Sequence, residues 1–169
     1  MIFENLLTRE GKDYFYIMHL SYDGDKRRTR EELWDYAQKD KMIGLDLPRV
    51  VKGDWTEVRE KVKASMRSGW IRQFDTFCKK MQKGDLVMIF AGIDSVLGVA
   101  QLRESRYHYD QGLSKNAEFF DHFRLVDWRA QREYSRRLLL SEPLYGFSHT
   151  LSIVREGSPR WSKLTLLEI

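Results

Sequence analysis

Two tyrosines at alternate positions, in the run Tyr107-His108-Tyr109-Asp110, are the side chains of this sequence best suited to holding a flat ligand. An extended backbone sends positions i and i+2 to one side, so both rings share a face if the run continues a strand. Paired amphipathic rings at a strand end form a platform on which a nucleobase can stack. The competing role is a lid, with a ring packed under its own loop against the core. A basic set follows on the next element: Arg129, Arg132, Arg136 and Arg137. Guanidinium groups near a stacking surface suit phosphate contacts, which dominate the affinity of nucleic-acid binders. Two other basic groups, Lys26-Arg27-Arg28 with Arg30 and Lys79-Lys80 with Lys83, compete for that role. Asp23, Asp25 and Glu31 dilute the first of them. The net charge of +4 and pI near 9.1 fit a phosphate-binding face and equally fit a slightly basic soluble protein.

Other chemistries lack their motifs. The sequence has no P-loop, no nucleophile elbow, no zinc-protease helix and no glycine fingerprint after its first strand. Its four histidines, His19, His108, His122 and His149, are widely separated, and no metal-ligand motif joins them. The expectation is a binding module without catalysis, cofactor or metal. The single cysteine, Cys78, excludes a disulfide framework and falls among Phe74, Phe77 and Met81, as a buried thiol does. The longest apolar run, Leu86 to Ile93, is too short to span a bilayer, and the N-terminus lacks a secretory signal. A cytoplasmic location is expected.

The elements that must position these residues are legible in outline. At 169 residues the chain is read as one domain, 1–169, with a sizeable core. Residues 14–22 are rich in strand formers, and 23–28 form a charged loop. Thr29 and Glu32 make a capping box for a helix to about Lys39, and Asp54 with Glu57 makes a second. The helix after Asp54 stripes Trp55, Val58, Val62 and Met66 on one face. Ser68 opens a third, with Trp70, Ile71, Phe74, Phe77, Cys78 and Met81 inward, ended by Gly84. Residues 85–91 are almost wholly apolar, which predicts a central strand buried on both faces. A turn at 92–95 returns the chain as a strand over 96–103. Further strands are predicted over 119–128 and 137–140, and a closing strand over 162–169. The fold class is α+β: a small, partly open twisted barrel of five or six strands with about three helices.

The order of these pieces resembles the EVE and YTH branches of the PUA-like superfamily. The aromatic loop Tyr107-His108-Tyr109-Asp110 precedes Arg124-Leu125-Val126-Asp127-Trp128, as a "Y-x-Y-D" loop precedes an "R-x-V-x-W" strand there. Residues 73–85 resemble a helix entering a "KGD" turn, and Met42-Ile43-Gly44-Leu45-Asp46 resembles an "I-G-W-D" crossing. The likeness covers most of residues 14–130. It implies a pocket for one nucleotide extruded from a nucleic acid, as in the DNA-reading domain of modification-dependent restriction GTPases. The implied partner is double-stranded DNA with a methylated base, N6-methyladenine ahead of 5-methylcytosine. A GTPase motor that oligomerises and a nuclease subunit would lie outside this chain. A reader of modified single-stranded RNA is the alternative.

The resemblance also implies site residues. His19, Ser21 and Tyr22 sit where a strand end lines the pocket, and Leu45 and Asp46 sit where the crossing supplies a wall and a carboxylate. Asp46 would accept a hydrogen bond from an exocyclic amine, or serve as an ordinary turn residue before Pro48. Leu45 departs from the pattern, since a cage tryptophan often stands there. Leu45 itself, or Tyr22, Trp34 or Trp70, could supply the missing wall, although Trp70 also fits a core stripe.

Overall fold

Strands buried on both faces need apolar side chains at every position, and β1 and β3 meet that demand. In the computed structural model, which describes residues 1–20, 29–45, 53–115, 119–144 and 150–169, β1 (Tyr14–His19) sends Phe15 and Ile17 to one core and Tyr16 and Met18 to another. Next to it β3 (Leu86–Phe90) divides Leu86, Met88 and Phe90 from Val87 and Ile89 in the same way. The two strands run parallel, with Tyr16 level with Val87 and His19 with Phe90. This is the central strand that the apolar run predicted.

The remaining strands are β2 (Met42–Leu45), β4 (Ser95–Leu102), β5 (His108–Tyr109), β6 (His122–Gln131), β7 (Leu138–Leu139) and β8 (Leu151–Arg155). The main path of the sheet is β2-β6-β4-β3-β1-β8, with β5 paired to β6 and β7 to β4. Among the described residues its ends, β2 and β8, do not pair with each other, so the sheet is open there. One core is covered by α2 (Arg30–Asp40), α3 (Trp55–Val62) and α4 (Ser68–Asp75), the other by α1 (Phe3–Arg9) and α6 (Pro159–Thr165). A short α5 (Gln111–Lys115) follows β5. The architecture is α+β with a partly open sheet, as expected, but with more helices than the three foreseen. No helix among the described residues is long and apolar enough to cross a membrane.

The curl of the sheet is read from α4. Gln73 accepts a hydrogen bond from the Leu151 backbone N–H at 2.8 Å, at the start of β8. Its neighbour Phe74 meets His122, the first residue of β6, edge-on at 5.4 Å. β6 and β8 are four steps apart along the path, yet adjacent residues of one helix touch both. The sheet therefore wraps around α4.

Several local expectations change. Thr29 and Glu32 form the reciprocal capping box of α2. Asp54 caps α3 by accepting from the Thr56 backbone N–H, without the return bond from Glu57. Ser68 lies inside α4 rather than capping it, and Arg67 at the cap makes no side-chain bond. After α4 the chain continues as a π-helical turn, Thr76–Lys80, that packs Phe77 and Cys78 inward. The segment 162–169 is not a closing strand. Ser158 caps and Pro159 opens α6, and those start signals outweigh a weak alternation. The strand that closes that edge is β8, which the sequence reading passed over together with α1.

Two buried charges pin the entry to β3. Asp85, fully buried, accepts from Lys12 Nζ at 3.0 Å, from the Tyr14 hydroxyl at 2.8 Å and from the Gln82 backbone N–H at 2.8 Å. Arg124, also fully buried, donates from Nε to the Phe77 carbonyl at 2.6 Å and from Nη1 to the Ser105 carbonyl at 3.1 Å. Phe77 lies in the turn that ends the α4 segment, so the guanidinium caps its free carbonyls and complements the helix dipole. Arg124→Ala should orphan both carbonyls and open a cavity, lowering stability by about 3 kcal/mol or more. Arg124→Lys should recover less than half, because an ammonium lacks the planar fork. Urea midpoints measure this, and a loss under about 1 kcal/mol for Arg124→Ala would show that the link is dispensable.

Candidate functional site

Three side chains predicted or implied for the pocket come together at the first residue of β6. His122 is paired on one side with Leu45, the last residue of β2, and on the other with Tyr109 of β5. Directly paired residues project to the same face of a sheet, so Leu45, His122 and Tyr109 form one row across three strands. Strand spacing places the outer two about 10 Å apart with the imidazole between them. Gly44 shapes the row from below: a Cβ there would collide with the rings of Phe119 and Phe120.

The alternating tyrosines share a face, as predicted. Tyr107 stacks near-parallel to His122, with centroids 6.1 Å apart and planes at 18°. Tyr109 leans over the same imidazole at 5.0 Å and 42°. Both hydroxyls reach the start of α3. Tyr107 Oη accepts from the Trp55 backbone N–H at 2.7 Å and donates to the Asp54 carboxylate. Tyr109 Oη accepts from the Gly53 backbone N–H. Two orphan donors at a helix start are thus satisfied by one loop. Tyr107 is buried and belongs to the core, which is the lid role rather than the stacking one. Tyr109 is half-buried.

The electrostatics follow from burial. Burial pushes the Tyr107 hydroxyl well above its ordinary range, reinforced by its bond to Asp54. Burial also acts to raise Asp54, but hydrogen bonds from Thr56 and Tyr107 outweigh it and hold the carboxyl below its usual value. Burial pushes His122 down to about 4, against the opposing pull of Asp54, so its ring is neutral at pH 7. Neither ring nitrogen of His122 has a hydrogen-bond partner among the described residues. The sequence reading counted His122 only among scattered histidines. The overlooked signal is its place on an alternating strand, where His122, Arg124 and Val126 are buried while Phe123 and Leu125 are half-buried.

The other expected site residues lie elsewhere. Ser21, Tyr22 and Asp46 fall outside the described residues, as do Lys26, Arg27 and Arg28. His19 ends β1, level on the ladder with the far end of β6 from His122. Its Nδ1 meets the Gly92 carbonyl at 2.6 Å, and since a carbonyl only accepts, that nitrogen carries the proton. Burial, with the nearby cations Arg30 and Arg160, holds its pKa below the ordinary value. Trp34 is no cage wall. It is fully buried, donates from Nε1 to the Arg132 carbonyl at 2.7 Å and meets Trp128 edge-on. Trp70 is half-buried against the α4 core.

The arginine set adjoins the aromatic loop in sequence but not in space. β6 is ten residues long, so Arg132 and its successors lie about 30 Å along the strand from His122. Arg129 pairs with Glu10 at 3.3 Å, and Arg132 donates to the Glu168 carbonyl at 3.3 Å. Arg136 and Arg137 are exposed, the first beside Glu133 and the second over the Tyr134 ring. Among the described residues no three histidine, cysteine or acidic side chains cluster as metal ligands.

The depressed pKa of His122 fixes a stability window. The unfolded chain takes up a proton near the ordinary value of 6.5, the folded chain only near 4. Stability contributed by the neutral ring is therefore present above pH 6.5 and lost as pH falls towards 4, about 3 kcal/mol in full. Between pH 7 and 4.5 the parent should lose about 2–3 kcal/mol more than His122→Phe, read from urea midpoints at each pH. His19 and the carboxylates are common to both proteins and cancel, so equal losses would refute the assignment. No curated protein and no solved structure matches this chain. Residues 21–142 match the model of a domain of unknown function, and the chain accordingly belongs to the DUF8426 family.

Proposed function

We propose that this chain is a DNA-binding module that recognises a methylated base, N6-methyladenine first and 5-methylcytosine second, swung out of the duplex into the row described above. The observation that carries the reading is the three-strand row itself. Leu45, fully buried, and Tyr109, half-buried, flank His122 with about 10 Å between their side-chain origins, so a planar ring that displaces Tyr109 from the imidazole would lie between an apolar and an aromatic wall. The order of motifs shared with EVE and YTH domains supports the same pocket. In that role the chain is the reading head of a modification-dependent restriction system, with cleavage supplied by another polypeptide.

The energetics are compatible. Extruding a base costs a few kcal/mol, stacking returns about 1–3 kcal/mol, and phosphate contacts supply the remainder. Arg136 and Arg137 are the exposed cations for those contacts. Their distance from the row, about 30 Å, is close to one turn of duplex, so both ends of β6 can face the same groove edge.

A panel of plain and methylated DNA duplexes and RNA strands of one sequence tests the proposal. The parent should prefer the methylated duplex by tenfold or more, and Tyr109→Ala should cost about 1–3 kcal/mol on that duplex. Equal binding of methylated and plain DNA overturns the reading, and tighter binding of single-stranded RNA moves the function to RNA. In a salt titration, replacing both Arg136 and Arg137 by Ala should flatten the slope of log K against log salt by about two units. An unaltered slope removes that end of β6 from the interface.

A further inference from the structure

His122 is 2% exposed, yet both of its ring nitrogens lack a hydrogen-bond partner among the described residues. Buried polar atoms are almost always paired, so two nitrogens of one ring without a partner among the described residues stand out. A phenylalanine at this position would keep the contacts to Tyr107, Tyr109 and Phe74 without the two nitrogens. The imidazole also occupies the middle of the row, between the residue proposed as apolar wall and the residue proposed as stacking ring.

From this arrangement we infer that His122 is the floor of the base pocket and reads the edge of the flipped base through one ring nitrogen. The inference rests on the base-reading function proposed above and assigns its polar contact. A base held between Leu45 and Tyr109 has its faces covered by those two side chains and presents its edge to the strand between them. A neutral imidazole offers one N–H and one lone pair, so it can meet either the ring-nitrogen acceptor or the exocyclic amine N–H of an adenine or cytosine edge. Tyr109, tilted at 42°, shares the imidazole with Tyr107 and Phe74 and is the least buried of the three rings, so the side it covers is the one a base can reach by displacing it. Its anchor is one hydroxyl bond to Gly53 and a two-residue strand, which makes it the movable member of the row.

The test uses the 169-residue chain and its His122→Phe variant. Affinity is measured by fluorescence anisotropy on one duplex carrying a single N6-methyladenine, on the same duplex with 5-methylcytosine, and on the plain duplex. The variant should melt at or above the parent temperature at pH 7. Its preference for the methylated duplex should fall from tenfold or more to less than threefold. In the parent, the ring 15N resonances of His122 should move on addition of the preferred duplex and stay unmoved with the plain one. A variant that keeps the parental preference overturns the role of His122 and leaves the base-reading function standing. A parent without any preference overturns that function and this inference together. Should the variant fail to fold, unmoved ring resonances in the saturated parent overturn the inference without it.

Discussion

The buried guanidinium of Arg124 is the constraint on which the site depends. Its Nε holds the carbonyl end of the α4 segment at Phe77, and its Nη1 holds the connection between β4 and β5 at Ser105. The first contact fixes the helix around which the sheet curls. The second fixes the loop that leads to Tyr107 and Tyr109. A charge removed from water is costly unless its donors find acceptors. Here backbone carbonyls serve Nε and Nη1, Nη2 has no partner among the described residues, and the carboxylates of Asp85 and Glu104 add a favourable field against the burial that pulls the guanidinium pKa down. Arg124 therefore links helix, hairpin connection and the start of β6 through one side chain. An apolar residue of similar size would fill the space but could not satisfy the carbonyls.

In the proposed function the tyrosine loop serves two purposes that pull in opposite directions. Binding a base needs a ring with an accessible face, whereas closing the start of α3 needs hydroxyls held in place. The chain divides the work. Tyr107, buried, takes the structural share by bridging Asp54 and the Trp55 N–H. Tyr109, half-buried, keeps an anchor at Gly53 but less of its surface is covered. Alternation brings both rings to one face, and the difference in burial comes from position. Tyr107 precedes the short strand and lies over the core, while Tyr109 ends it at the rim.

Much of the framework was legible because it rests on local signals. The apolar run of β3, the capping box of α2 and the alternation in β6 each follow from a few neighbouring residues. What escaped depends on distant partners. Nothing near His122 in the sequence shows that β2 and β5 will flank it, and a histidine among scattered histidines carries no spacing signal. Trp34 looked available for a cage because its helix pattern does not reveal that Nε1 will meet the Arg132 carbonyl across the sheet. The arginine set looked adjacent to the loop because sequence proximity hides the length of β6. Ser158-Pro159 was a readable helix start, overridden in the reading by an alternation too weak to make a strand.

The geometry of the row also bears on how a single methyl could be discriminated. Transfer of one methyl group from water to an apolar wall is worth about 0.8 kcal/mol, roughly fourfold in affinity. A stronger preference must come from a pocket that penalises the unmodified base. In the proposed reader, a row on three hydrogen-bonded strands suits that task, because the spacing of its side-chain origins is set by the backbone. Its two walls differ in freedom: Leu45 is fully buried, whereas Tyr109 is half-buried on a two-residue strand. A base that does not reach His122 forgoes a hydrogen bond to ring nitrogens that have no partner among the described residues. On that proposal, selectivity comes less from the attraction for the methyl than from the fit of the base between those walls and the imidazole.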